Sequence, residues 1–292
     1  MNDRRTAWMF LTPALIVLGV FFALPVLAAL ILSLTDYDLY ALADIRNLRF
    51  VGLANYWELL HRPLFWTALG NTLYFVAVGV PLSIGASLGA AMLLNSPLAK
   101  AKPFFRTALF APVVTTVVAV AVIWRYLFST KYGMVNYLLD LIDIQPVDWL
   151  GDPHWAMPTI IAFAVWKNFG YNMIIFLAGL QAVPPGLYEA ARMDGASAPQ
   201  QFWHVTLPML KPTMVLVMVL TVAGYFQLFA EPYVMTEGGP LQSTVSVLYL
   251  MYNDGFKWWN LGVASAVAFM LFGIILVITI AMLRLMRRRT SA

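Results

Sequence analysis

LGVASAVAFMLFGIILVITI, residues 261–280, decides the fold. Twenty residues pass without a charge, the length of helix that crosses the hydrocarbon of a bilayer. The run is continuously apolar and lacks the alternation of a lipid-facing barrel strand. Only helices or closed barrels satisfy their backbone in lipid, so the run reads as a transmembrane helix. The same reading extends outward over the chain. Of its 292 residues, 61% are hydrophobic and 11% charged, where a soluble domain carries about 25% charged residues. So few charges cannot coat so large an apolar fraction, which excludes a soluble globular protein, a coiled coil and a disordered chain. Without cysteine there is no disulfide, thiolate metal site or cysteine nucleophile.

Charge-poor windows place six helices near residues 8–34, 66–94, 104–128, 158–180, 212–230 and 261–285 of a single membrane domain spanning 1–292. The expected class is therefore an all-α, multi-pass membrane protein. Arg4 and Arg5 precede the first run as in a signal peptide, but the run is about twice as long as a signal core and is read as a retained helix. With both termini in the cytoplasm, the inner segments hold Arg4, Arg5, Lys100, Lys102, Arg106, Arg192, Lys211, Arg284, Arg287, Arg288 and Arg289. The outer ones hold Arg46, Arg49, Arg62, Lys131 and Lys257, which is the positive-inside asymmetry. The net charge of +4 is thus topological and implies no nucleic-acid partner. Trp57, Trp66, Trp149, Trp155, Trp258 and Trp259 fall near the inferred outer boundary, where amphipathic rings settle.

One connection is too long and patterned for a plain linker. Residues 181–211 include VPPGLYEAARMDGASAPQQFWHVTLPMLK. Pro184 and Pro185 suit a helix start, and Leu187–Met193 gives two turns with Glu189 near the positive end. Gly195 permits a sharp stop. Ser197 followed by Gln200 predicts a capping box for a second short helix to about Val205, with Leu207-Pro208 breaking out of it. The plain alternative is a helix lying on lipid, but Arg192 and Lys211 are few cations for anionic headgroups, and a protein partner fits better.

Glu189-Ala190-Ala191, then Gly195, Val205 and Leu207-Pro208 resemble the "EAA" signature of binding-protein-dependent ABC importer permeases, with valine where isoleucine is usual. The likeness continues in Phe50–Tyr56 (FVGLANY), Asn71-Thr72-Leu73, Trp124-Arg125, Tyr132-Gly133 with Asn136, and Met235–Pro240 (MTEGGP), which resemble the maltose-transporter type of carbohydrate permease. The resemblance implies a type I ABC importer permease fold in a bacterial inner membrane. It also implies that the segment holding Glu189, Ala190, Ala191, Arg192, Asp194, Gly195, Leu207 and Pro208 couples to an ATPase. The partners so implied are a homologous second permease, two ATPase subunits, an extracytoplasmic solute-binding protein, a sugar and the lipid bilayer. No G-x-x-x-x-G-K-[ST] phosphate loop occurs, so this chain is not the ATPase. No cofactor is expected in it, ATP and magnesium being held by the partner.

Polar groups inside a bilayer usually face a bundle interior or cavity. In the fourth run Lys167, Asn168, Tyr171 and Asn172 cover an arc of about 140°, so they share a face. In the fifth, Gln227 and Glu231 are four residues apart, beside an aromatic stripe of Tyr225 and Phe229. Amides, a carboxylate and phenols among aromatic rings suit a polyhydroxylated solute, while packing against neighbouring helices stands as the alternative for each residue. A phosphorylated polyol such as glycerol phosphate would ask for several cations, and Lys167 is one. An ion-coupled secondary transporter would show a mid-membrane carboxylate or paired broken helices; a membrane enzyme would show a convergent acid, base or metal cluster. His61, His154 and His204 have no metal spacing. Gly85 and Gly89 form a small-xxx-small pair expected to favour close helix packing, and Arg125 is expected to snorkel or pair with an outer acid.

Overall fold

The computed structural model describes residues 3–288, so the terminal residues lie outside it, among them Arg289 of the inner set; at Arg4, Arg5, Arg287 and Arg288 only the backbone is described. The described residues are helical apart from turns and one antiparallel bridge between Thr35 and Phe50. Five helices are long and apolar enough to cross a membrane, Ala7–Ser33, Pro63–Asn95, Pro153–Gln181, Lys211–Met235 and Leu261–Arg284, and a bent pair, Lys102–Val114 with Val117–Leu127, makes a sixth where the two are taken as one broken span.

The chain divides into two compact units. The first joins the residues up to Trp66 with Leu250–Ile274. Its centre is Asn55, whose Nδ2 donates to the carbonyls of Ser33 and Thr35, both at 2.8 Å. Tyr56 Oη donates to Ser33 Oγ at 2.8 Å. These bonds collect the carbonyls at the end of the first span, which have no partner within their own helix. The sixth span starts beside them, and a Cβ on Gly262 would stand 2.3 Å from the Thr35 carbonyl, so only glycine fits. Arg62 Nη1 meets Asp254 at 2.9 and 2.8 Å. Burial pushes the Asp254 carboxyl up, and the Arg62 guanidinium opposes that shift.

The second unit joins Thr67–Tyr249 with the residues from Ile275 onward. The fourth span lies deepest, with Ile160, Phe163, Ala164, Met173 and Phe176 at most 1% exposed. It begins at Pro153 rather than near Pro158, because Asp152 accepts from the His154 amide at 2.8 Å and caps it. Asn71 Nδ2 donates to the carbonyls of Gln242 and Val245 at 2.8 and 2.9 Å, while Thr72 Oγ1 receives the Val247 amide at 3.0 Å. Outside the spans, Asn136 organises a connecting segment: its Nδ2 donates to Val147 O, and its Oδ1 accepts from Val147 N and Trp149 Nε1.

Three expectations need correction. The third span, expected as one helix over 104–128, is two helices bent by 97° around Thr115 and Thr116. Six β-branched residues, Val113–Val118, follow Pro112 there, and the Thr115 hydroxyl takes the Pro112 carbonyl at 2.6 Å, so local bonding competes with the helical ladder. The fifth span is helical over Lys211–Tyr225, opens, and resumes over Ala230–Met235, so Gln227 and Glu231 do not share one continuous helical face. At Gly85 and Gly89 an added Cβ would meet nothing within 4 Å, so the pair packs no helix of this chain among the described residues.

Candidate functional site

The second unit holds a cavity of about 510 Å³. Asn168, Tyr171 and Asn172 of the fourth span line it together with Tyr225, Gln227, Phe229 and Glu231 from the fifth. The opening of the fifth span at 226–229 brings its four residues there: without it, Gln227 and Glu231 would continue along a straight helix. Asn172 Nδ2 donates to Thr221 Oγ1 at 2.9 Å, and that hydroxyl donates to Val217 O at 2.7 Å, tying the two spans across the floor of the cavity. Tyr225 is held by Phe75, whose ring stacks on it at 5.0 Å between centroids. A Cβ on Gly79 would lie 2.7 Å from the Tyr225 ring, so that glycine gives the ring its place.

Lys167, expected among these residues, does not line the cavity. It is 7% exposed, and its Nζ donates to the Val113 carbonyl at 3.0 Å. The bend of the third span leaves that carbonyl without a helical partner, and the ammonium supplies one. Gly170 serves the same contact: a Cβ there would stand 2.3 Å from the Leu109 carbonyl, so the third and fourth spans approach backbone to backbone. Phe75, Val113, Val117 and Thr221 complete the lining and were not singled out from the sequence. Thr221 carried a signal, a hydroxyl inside an apolar run; the others are apolar residues among many.

A second cavity of about 770 Å³ includes Arg125, Ser129, Thr130 and Glu237. Arg125 pairs with Glu237 at 3.7 Å and donates to the Val234 carbonyl at 3.3 Å, which is the pairing expected of it. Both side chains are well exposed, so the pair is worth little energy by itself.

Between the fourth and fifth spans, residues 185–209 form a knob. Its first helix is Pro185–Met193. The Ala196 amide donates to Ala191 O at 2.8 Å and the Gly195 amide to Arg192 O at 3.0 Å, with Gly195 at φ +76°, the pattern of a Schellman stop. Ser197 then starts Ala198–Gln201, and Gln200 Oε1 accepts from its amide at 2.7 Å, as the capping box requires. The expected exit at Leu207-Pro208 is not there. A π-turn over Phe202–Thr206 widens the helix ahead of Pro208, which lacks an amide, and the helix continues through Met209. Tyr188 Oη and Thr206 Oγ1, 3.0 Å apart, brace the two arms. Glu189, Ala190, Arg192, Asp194, Gly195 and Pro208 are exposed, while Ala191 and Leu207 are half-buried. A groove over Ala191, Asp194, Gly195 and His204 runs along the turn.

A cavity with a few convergent polar groups among membrane-crossing helices, beside an exposed and internally braced helical knob, is the architecture of a transport subunit. The chain belongs to the binding-protein-dependent transport system inner membrane components, whose family pattern matches residues 84–291. It is 38% identical over 255 residues to the lactose transport system permease protein of Rhizobium radiobacter, covering 86% of this chain and 83% of that one. To the trehalose/maltose transport system permease protein of Thermococcus litoralis it is 33% identical over 288 residues, covering 99% and 96%. Among solved structures, it superposes with a TM-score of 0.80 at 23% identity on a chain of the bacterial alginate ABC transporter in complex with alginate pentasaccharide-bound periplasmic protein, covering 98% of this chain and 96% of that one.

Proposed function

We propose that this protein is one permease half of an ATP-driven sugar importer of a bacterial inner membrane. It would pair with a homologous permease and two ATPase subunits and receive its sugar from an extracytoplasmic binding protein. The observation that carries the reading is the convergence of amides, a carboxylate and aromatic rings from two spans on one cavity of disaccharide scale. Relatives named for lactose and for trehalose and maltose transport support the sugar class. The alginate transporter, bound to its periplasmic protein, supports the binding-protein partner.

In this reading the exposed knob of residues 185–209 lies in the cytoplasm and seats on an ATPase subunit. ATP binding closes the ATPase pair, the knobs move together, and the cavity opens outward to accept the sugar; hydrolysis resets it inward. The two arms move as one body because the Tyr188–Thr206 contact ties them together, while the capping box holds the start of the second arm.

The test is to co-purify the complex and measure ATP hydrolysis in liposomes against a panel of sugar-loaded binding proteins. Stimulation by at least one is expected. Hydrolysis indifferent to all of them, or uptake driven by an ion gradient without ATP, would overturn the reading.

A further inference from the structure

The polar groups of the cavity balance in donors and acceptors but not in charge. Asn168 Nδ2 donates to Ala164 O at 2.9 Å, Asn172 Nδ2 to Thr221 Oγ1 at 2.9 Å, and Gln227 Nε2 to Ala223 O at 3.2 Å. Each amide spends one N–H on the protein and keeps its carbonyl oxygen as an acceptor and its second N–H as a donor. Glu231 adds acceptor oxygens and is the one charged side chain among the described residues that line the cavity. The nearest cation, Lys167, is turned to the Val113 carbonyl behind the wall. Hydroxyls, which donate and accept, suit the amides, and a hydroxyl or an ammonium suits the carboxylate. An anion would lie beside Glu231 in a low dielectric, with no cation among the lining residues to pair with it.

Resting on the sugar-importer reading, we propose that this cavity selects hydroxyl-rich sugars that are neutral or carry an amino group, and that Glu231 is the residue that rejects uronates and phosphorylated or sulfonated sugars. Phe229 and Tyr171 contribute ring faces for the C–H surface of the sugar, which serves neutral and amino sugars alike. Discrimination therefore falls to the carboxylate.

The test is equilibrium binding to the purified complex, held with ATP, magnesium and a hydrolysis-blocked ATPase. The probes are matched glucose and galactose sets, each with its neutral, 2-amino and uronate members. Wild type is expected to bind the neutral and amino members about tenfold or more tightly than the uronate. Glu231→Gln, which removes the charge and keeps the shape, is expected to bring that ratio within about threefold. Gln227→Glu, which adds a second acid, is expected to widen it, and it decides the matter if Glu231→Gln fails to assemble. A uronate bound by wild type as tightly as its neutral partner overturns the proposal, as does a ratio that neither variant moves. Failure of wild type to bind any of the sugars would instead overturn the sugar reading beneath it.

Discussion

Lys167 shows how much a single side chain's place depends on a distant backbone. In sequence it is a cation among asparagines and tyrosine on one helical face. In the structure it has left that set to close the break of another span, 54 residues away. Nothing local foretold this, because the acceptor exists only once the third span bends. Gly170 is similar: its neighbour is the Leu109 carbonyl, and no spacing rule connects the two. Lys167→Met keeps a chain of similar length but leaves the Val113 carbonyl unpaired. That variant is expected to lose about 1–3 kcal/mol of stability, read as a lower midpoint of thermal unfolding in detergent. An unchanged midpoint would mean that water serves the carbonyl equally well.

Among elements, existence was legible and ends were not. Apolar windows of about 20 residues follow from bilayer thickness, so five spans and the window of the broken third could be located without tertiary knowledge. Ends and breaks depend on individual side chains. Ser197 and Gln200 are three apart, so their box could be read directly, whereas the Thr115–Thr116 break lies inside an apolar window, and a reading by span length passes over it. Asp152 is a cap whose effect can be measured through pH. The His154 amide, and then its ring, hold the Asp152 carboxyl below the ordinary carboxylate value. An ionised cap therefore stabilises the folded helix end above the unfolded value of about 4, and the benefit fades as pH falls through the lower folded value. Protection of the first amides of the fourth span against hydrogen exchange should drop over that acid range in wild type. In Asp152→Asn, which caps without titrating, the drop should be absent.

For the molecule as a whole, the second unit contains both the cavity and the knob, and the fourth and fifth spans link them. The sequence showed the knob well because its signals are local: a proline start, a glycine stop, a capping box. The cavity was only partly legible, since seven of its lining residues stood out as polar or aromatic while the opening that gathers four of them did not. On the proposed coupling role, changes at the knob should leave the spans intact and disconnect them from the ATPase. Glu189→Lys reverses an exposed charge, and Gly195→Val forces a β-branched residue to φ +76°. Both are expected to insert normally and to reduce sugar uptake to background in cells carrying the complete importer. Wild-type uptake in both would remove the knob from the mechanism.

The arrangement of Lys167 behind the wall and Glu231 on its face has an electrical consequence. When both are ionised, their opposite unit charges sum to zero. A resting voltage of about 100 mV does roughly 2.3 kcal/mol of work on each elementary charge carried across the membrane. When the wall reorients around an uncharged passenger, no net charge goes with it. In the proposed cycle these two side chains then draw nothing from the voltage, and uptake of such a sugar is expected to be indifferent to depolarisation.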